Sequence, residues 1–169
     1  HLNVNAIPAE GIVVIAAAGD ANILANSGAT TMFGVSAGTN ANVNGVTAGE
    51  DLYVLAGNTA TVTNSVAGDD MIVTGTCCVI VDNVSTTGAG PDGRSLTFGP
   101  SSTSGPNVWQ IQTGPTDLSN IVLTASAGTI AASNAVAFDN LTATASDVVT
   151  TTNTIRSGRV TTITGSALD

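Results

Sequence analysis

Two pairs of acidic residues, 19 residues apart in the sequence, have the greatest capacity for chemistry in this chain. Glu50 and Asp51 follow a glycine, and Asp69 and Asp70 follow another glycine 19 residues later. If the fold stacks these positions, their carboxylates form a ladder that repels itself unless protons or a cation intervene. Carboxylate oxygens are the ligands that Ca²⁺ prefers, so all four residues are candidate calcium ligands. The alternative, which we favour from the sequence, is that these side chains cap backbone N–H groups in turns.

The remaining reactive residues do not form a recognisable catalytic set. His1 is the single histidine and stands at the terminus, so a Ser-His-Asp triad is not expected. The basic residues are Arg94, Arg156 and Arg159, and the chain has no lysine. No sequence feature couples these arginines to a carboxylate cluster, as cleavage of acidic polysaccharides would require. The sequence therefore predicts a protein without enzymatic activity. It predicts no cofactor other than the candidate calcium ion.

One aromatic residue and two cysteines deserve separate interpretations. Trp109 lies in a segment rich in glycine and proline, and it is a candidate for ligand binding or adhesion, although packing over the fold is the alternative. Cys77 and Cys78 are adjacent, and neighbours on a strand point to opposite faces. We expect one thiol in the core and one outside, because a mutual disulfide would need an unusual local geometry.

Composition limits the classes of partner. The formal net charge is −9 and only 9% of residues are charged, while 43% are hydrophobic. Such a chain should repel nucleic acid and anionic membranes. No segment reaches the ~20 apolar residues of a membrane-spanning helix. Cysteine usage leaves the redox compartment open.

Internal repeats give the strongest indication of fold. Gly49 and Gly68 are 19 residues apart, as are Gly19 and Gly38. In the second half, similar strand-like runs begin at Ile121, Leu141 and Val160, which are 20 and 19 residues apart, and Ile130 and Val149 are also 19 residues apart. Short runs rich in valine, threonine and alanine, broken by glycine, asparagine or aspartate, are typical of strands, and a period near 20 is typical of a solenoid. We predict an all-β parallel β-helix of about 19–20 residues per coil, with about eight coils in all.

The regular repeat is interrupted once. Residues 1–85 and 117–169 read as regular coils, whereas residues 86–116 are rich in glycine and proline and read as coils with long loops. The whole chain is interpreted as one β-solenoid domain. The expectation is a fragment or processed piece of a longer repeat protein.

Several segments resemble the repeats of filamentous-haemagglutinin-like bacterial exoproteins. These are VTAGEDLYVLA at residues 46–56, VAGDDMIVT at 66–74 and NLTATASDVV at 140–149. Residues 107–114, followed by 136–141, are similar to a Trp-to-Phe-Asn-Leu unit of such surface proteins. The resemblance implies a right-handed parallel β-helix, secretion across a bacterial outer membrane, and adhesion or display at the cell surface.

The resulting functional hypothesis is a rigid adhesive rod in a secreted bacterial surface protein. Its partners would be a receptor or polysaccharide at a host or cell surface. The first alternative is an extracellular filament subunit that polymerises with copies of itself through its end strands. The second, less favoured, is a carbohydrate-active enzyme on the same scaffold.

Overall fold

The chain folds as a parallel β-solenoid, as the sequence predicts. The computed structural model describes residues 1–89 and 118–168, together with the backbone of residues 94–100 and 107–113. Every regular element in this part of the chain is a β-strand, and the long sheets are parallel. The strands are β1 Leu2–Val4, β2 Pro8–Ala9, β3 Val13–Ala17, β4 Ala21–Ile23, β5 Ser27–Ala29, β6 Phe33–Ala37, β7 Ala41–Asn44, β8 Val46–Ala48, β9 Leu52–Ala56, β10 Thr59–Ala67, β11 Met71–Gly75, β12 Cys78–Thr86, β13 Arg94–Pro100, β14 Asn107–Thr113, β15 Ile121–Ala125, β16 Thr129–Ala137, β17 Leu141–Ala145, β18 Val148–Ser157, β19 Thr161–Thr164 and β20 Ala167–Leu168.

One sheet contains a single strand from each coil, so the number of its strands equals the number of coils. Its order is β3-β6-β9-β11-β15-β17-β19, so the described chain makes seven coils, which we number 1 to 7 in that order. Leu52 pairs with Met71 and Ile121 pairs with Leu141, which gives the predicted spacings of 19 and 20 residues. Leu141 pairs with Thr161 rather than with Val160. At a strand spacing of ~4.8 Å the stack is about 30 Å long.

The other large sheet bends along its length. The strands β10, β12, β16 and β18 run through two sides of their coils, and the bend falls at Asn64, Asn83, Asn134 and Asn153, all with positive φ. Asparagine tolerates this left-handed conformation better than most residues. The amides also stack, because Asn83 Nδ2 donates to Asn64 Oδ1 at 2.9 Å. These four coils thus turn at the same residue type, whereas Ala6, Asn26 and Gly45 take the corresponding positive-φ position in the first three.

The core is narrow and is filled by small aliphatic side chains. Alternate residues of each strand point inward, where valine and alanine dominate around the fully buried Phe33, Leu52 and Met71. Outside this core, Met32 and Tyr53 are also buried and pack with Ile72. Burial of apolar surface along the whole axis favours stacking, because a lone coil cannot cover its own inner face.

The segment between the regular halves differs from its predicted form. Its strands β13 and β14 pair with each other as an antiparallel hairpin, and they form a separate two-stranded sheet. The coils on either side pair directly, with Met71 opposite Ile121 and Cys78 opposite Thr129. The segment is therefore an insertion into coil 5, not one or two looped coils, which accounts for seven coils where length alone suggested eight.

Candidate functional site

The acidic pairs lie at one corner of the solenoid, just before the strands of the seven-stranded sheet. Backbone hydrogen bonds stack Asp69 on Glu50, and place Asp70 one coil beyond Asp51. The insertion leaves the solenoid at this corner, so the next coil supplies Ser119 and Asn120 at the same positions. We call Glu50, Asp51, Asp69, Asp70 and Asp139 the acidic corner. The structure thus brings the four predicted candidate ligands into two adjacent columns at one corner.

Three carboxylates of the acidic corner are close enough to share one ion or proton. One carboxylate oxygen each from Asp51, Asp69 and Asp70 lies within 4.8 Å of the other two. Asp51 and Asp69 are buried and Asp70 is half-buried. The oxygen donor set is the kind that a hard divalent cation takes. Calcium binding by these residues and Glu50 stays a prediction.

Protein donors already contact these carboxylates. Asp51 accepts hydrogen bonds from the Asp70 backbone N–H at 3.1 Å and from the Tyr53 hydroxyl at 3.4 Å. Asp69 accepts one from Ser119 Oγ at 2.8 Å, and Asp70 accepts one from the Asn120 backbone N–H at 2.9 Å. A carboxylate in one coil therefore caps a backbone N–H in the next coil. This is the turn-capping arrangement considered as the alternative to calcium binding.

Burial strongly perturbs the carboxyl group of Asp51. Its side chain is 1% exposed. Desolvation raises the pKa of Asp51 from its ordinary value of 3.8 to about 7, and the neighbouring carboxylates of Asp70, Asp69 and Glu50 also raise it, against the lowering effect of the Asp70 N–H bond. A proton retained by Asp51 removes one of the like charges that repel one another at this corner.

The far end of the acidic corner is closed by an ion pair. Arg159 Nε lies 2.6 Å from Asp139 Oδ1, and Asp139 Oδ2 accepts a hydrogen bond from the Ser119 backbone N–H at 3.0 Å. Ser119, Asn120 and Asp139 were not predicted from the sequence, because an interval of 50 residues separates Ser119 from Asp69. The sequence signal was the similarity of the strand runs that begin at Met71 and Ile121, which places Ser119 and Asn120 at the positions of Asp69 and Asp70.

The cysteines do not occupy the positions expected from the sequence. Cys77 and Cys78 form a disulfide with each other, with their Cα atoms 3.7 Å apart. Both are half-buried at the turn between β11 and β12, so neither thiol lies in the core. The expectation failed because it placed both residues within a strand, whereas Cys77 precedes β12 and is free to adopt turn geometry.

The other predicted candidate, Trp109, lies on β14 opposite Phe98 in the hairpin register. Its side chain is outside the part of the chain that the structure describes, so its role in ligand binding stays a prediction. His1 forms an exposed ion pair with Asp20 at 2.6 Å, at the opposite end of the stack from Arg159. It contacts none of the acidic corner residues in the described hydrogen bonds and ion pairs.

One exposed aromatic residue was not identified from the sequence. Phe138 occupies the position that glycine takes in other coils at Gly49, Gly68 and Gly158, and its side chain is 55% exposed. Glycine recurs at this repeat position, although Thr30 and Leu118 also occupy it, and an aromatic residue there was the available sequence signal. The position of Phe138 at a crowded corner forces its ring outward.

The chain matches no family model, no curated protein and no solved structure. Among the described residues, no helix is long and apolar enough to cross a membrane. The fold is compatible with a β-helix repeat region, and the residues on its surface carry the functional argument.

Proposed function

We propose that this chain is a rigid β-solenoid segment of a secreted bacterial surface protein and serves as an attachment rod. The observation that supports the rod is the uninterrupted backbone stack. Seven parallel strands pair in one sheet, and the insertion leaves the pairing of Met71 with Ile121 intact. Backbone ladders along the whole axis resist bending because every coil is bonded to its neighbours.

Surface attachment is the use that the composition supports best. The outward positions carry threonine, serine and asparagine, whose hydroxyl and amide groups bond to polar partners such as sugars. The resemblance of residues 46–56 and 66–74 to exoprotein repeats supports secretion and display at the bacterial surface. A net charge of −9 opposes contact with nucleic acid.

Adhesion can be tested with microspheres that carry the folded chain. Retention of the coated microspheres would be measured on immobilised polysaccharides and on cell monolayers, with uncoated microspheres as the control. Saturable retention that free chain competes away is the expected result. Retention that free chain fails to reduce, or no retention on any surface, would contradict an adhesive role.

A further inference from the structure

The exposed ring of Phe138 is held in place by the turn beside it. Gly88, with φ +68°, lies directly against this ring, and a Cβ at Gly88 would come within 2.5 Å of Phe138 Cδ1. Phe138 N donates to the Thr86 side chain at 2.9 Å, so the residue is anchored at its backbone. One side of the ring is therefore packed, and the other is presented to solvent in a fixed position.

A guanidinium group lies on the same surface, one coil further along. Arg156 pairs with Val136 in the β16–β18 register, and its side chain is exposed. Arg159 is held by Asp139, but Arg156 makes no ion pair within residues 1–89 and 118–168. A cation with no ion-pair partner among the described residues keeps its donors available for a ligand, in a chain whose net charge is −9.

Phe138 and Arg156 line one open depression on the surface of coils 6 and 7. Its volume is about 360 Å³, and its other walls include Ser157 and Gly158. This volume is at the small end of the ~300–1,000 Å³ range of ligand sites, which suits a single sugar unit rather than a helix or an extended chain. Gly158 brings the backbones of the two coils close together, because a Cβ at this position would meet the Phe138 carbonyl oxygen.

We propose that Phe138 and Arg156 form a subsite for a terminal carboxylated sugar of a cell-surface glycan. The apolar face of a sugar ring would stack on the phenyl ring, and its carboxylate would accept paired hydrogen bonds from the guanidinium. A terminal sugar carries one negative charge to the site, so the overall negative charge of the protein opposes it far less than it opposes a polyanion. The proposal rests on the adhesive function and specifies its ligand class.

The test uses the full ¹⁵N-labelled chain and measures amide chemical shifts during titration with sodium glucuronate. Glucose and sodium acetate, at matched ionic strength, are the comparison probes. We expect saturable shifts at Phe138, Arg156 and Ser157 with glucuronate, at about millimolar affinity, and much weaker binding of either comparison probe. If acetate produced shifts as large as those with glucuronate, the site would bind an adventitious ion only. If glucose produced shifts as large, Arg156 would have no role in binding the carboxylate. Either result, or no saturable shift with glucuronate, would overturn the proposal.

Two variants separate the contributions of the ring and the cation. Phe138→Ala and Arg156→Gln should each weaken glucuronate binding about tenfold, since each removes one of two comparable contacts. Thr152→Ala is the matched control, because Thr152 is exposed on the same strand but lies on the other side of the Asn153 bend. Unchanged affinity in both variants would contradict the assignment.

The same variants on microspheres distinguish this subsite from the adhesive function itself. If wild-type and variant microspheres are retained equally, the chain is adhesive but Phe138 and Arg156 are not its contact residues. If glucuronate binding is lost in the variants while wild-type microspheres are retained nowhere, the subsite stands and the adhesive function fails.

Discussion

At the scale of single residues, the acidic corner couples stability to pH through Asp51. Its pKa is raised to about 7 in the folded chain, against 3.8 ordinarily, so the folded state holds a proton that the unfolded state has released. Stability from this group is complete below pH ~4 and is lost as the pH rises to about 7, which is the reverse of an aspartate whose pKa is lowered in the folded state.

We therefore predict that the free energy of unfolding falls between pH 4 and pH 7, by an amount on the order of 2–4 kcal/mol. Asp51→Asn should flatten this slope and raise stability at pH 7, because the amide accepts the Asp70 N–H without carrying a charge. Urea unfolding at a series of pH values, followed by circular dichroism, measures both quantities. A slope that is identical in wild type and Asp51→Asn would show that other groups control it.

Calcium provides a second test at the same residues. Asp51, Asp69 and Asp70 already accept hydrogen bonds from protein donors, so we expect calcium chloride to change the unfolding temperature no more than magnesium chloride at equal ionic strength. A calcium-specific increase that Asp51→Asn abolishes would contradict this expectation and establish the predicted cation site. Differential scanning calorimetry at pH 7 gives the comparison directly.

The acidic corner also shows what the sequence could and could not predict. The 19-residue interval correctly aligned Glu50 with Asp69, because strand stacking depends only on the repeat. The interval alone could not align Ser119 with Asp69, because the insertion stretches their separation to 50 residues, and the alignment appears only when the strand run at Ile121 is matched to the run at Met71. Burial of Asp51 was equally inaccessible, because acidic residues beside a turn glycine are more often exposed than desolvated.

At the scale of the strands and turns, close contact between coils restricts certain glycines. A Cβ at Gly38 would lie on the Ala18 carbonyl oxygen, at 2.0 Å, whereas a Cβ at Gly19 would have nothing nearer than 3.7 Å. We predict that Gly38→Ala destabilises the chain by about 1–3 kcal/mol, the range typical of overpacking. Gly19 also follows an alanine and lies in the corresponding turn of the preceding coil. Gly19→Ala is therefore the matched control and should change the urea midpoint little. Equal midpoints for the two variants would mean that the turns adjust freely.

The insertion is expected to be separable from the solenoid. Ala89 donates to the Gly68 carbonyl oxygen, and Ser119 Oγ bonds to Asp69, so the chain leaves and re-enters the stack at neighbouring positions. Replacing residues 90–117 with two glycines should preserve the β-sheet circular dichroism spectrum and a single unfolding transition. Loss of cooperative unfolding would show that the inserted segment is required for the two halves to fold as one.

At the scale of the whole molecule, charge opposes the association that open sheet edges favour. The outermost strands β3 and β19 each pair on one side only, and such edges accept further strands. The net charge is −9 at pH 7, and the isoelectric point is about 4.1. Copies of the chain should therefore repel one another at neutral pH and lose that repulsion near pH 4.

We predict a monomer at pH 7 in low salt and end-to-end association near pH 4, with high salt at pH 7 having an intermediate effect because it screens the repulsion. Size-exclusion chromatography with multi-angle light scattering measures the mass, and negative-stain electron microscopy distinguishes fibres from amorphous aggregates. Replacing Thr162 in β19 with lysine should reduce association near pH 4, because a charged edge residue disfavours strand addition. Long uniform fibres at pH 7 in low salt would mean that edge pairing overcomes a charge of −9 on every subunit. In that case the filament subunit would replace the attachment rod as the function that best fits this solenoid.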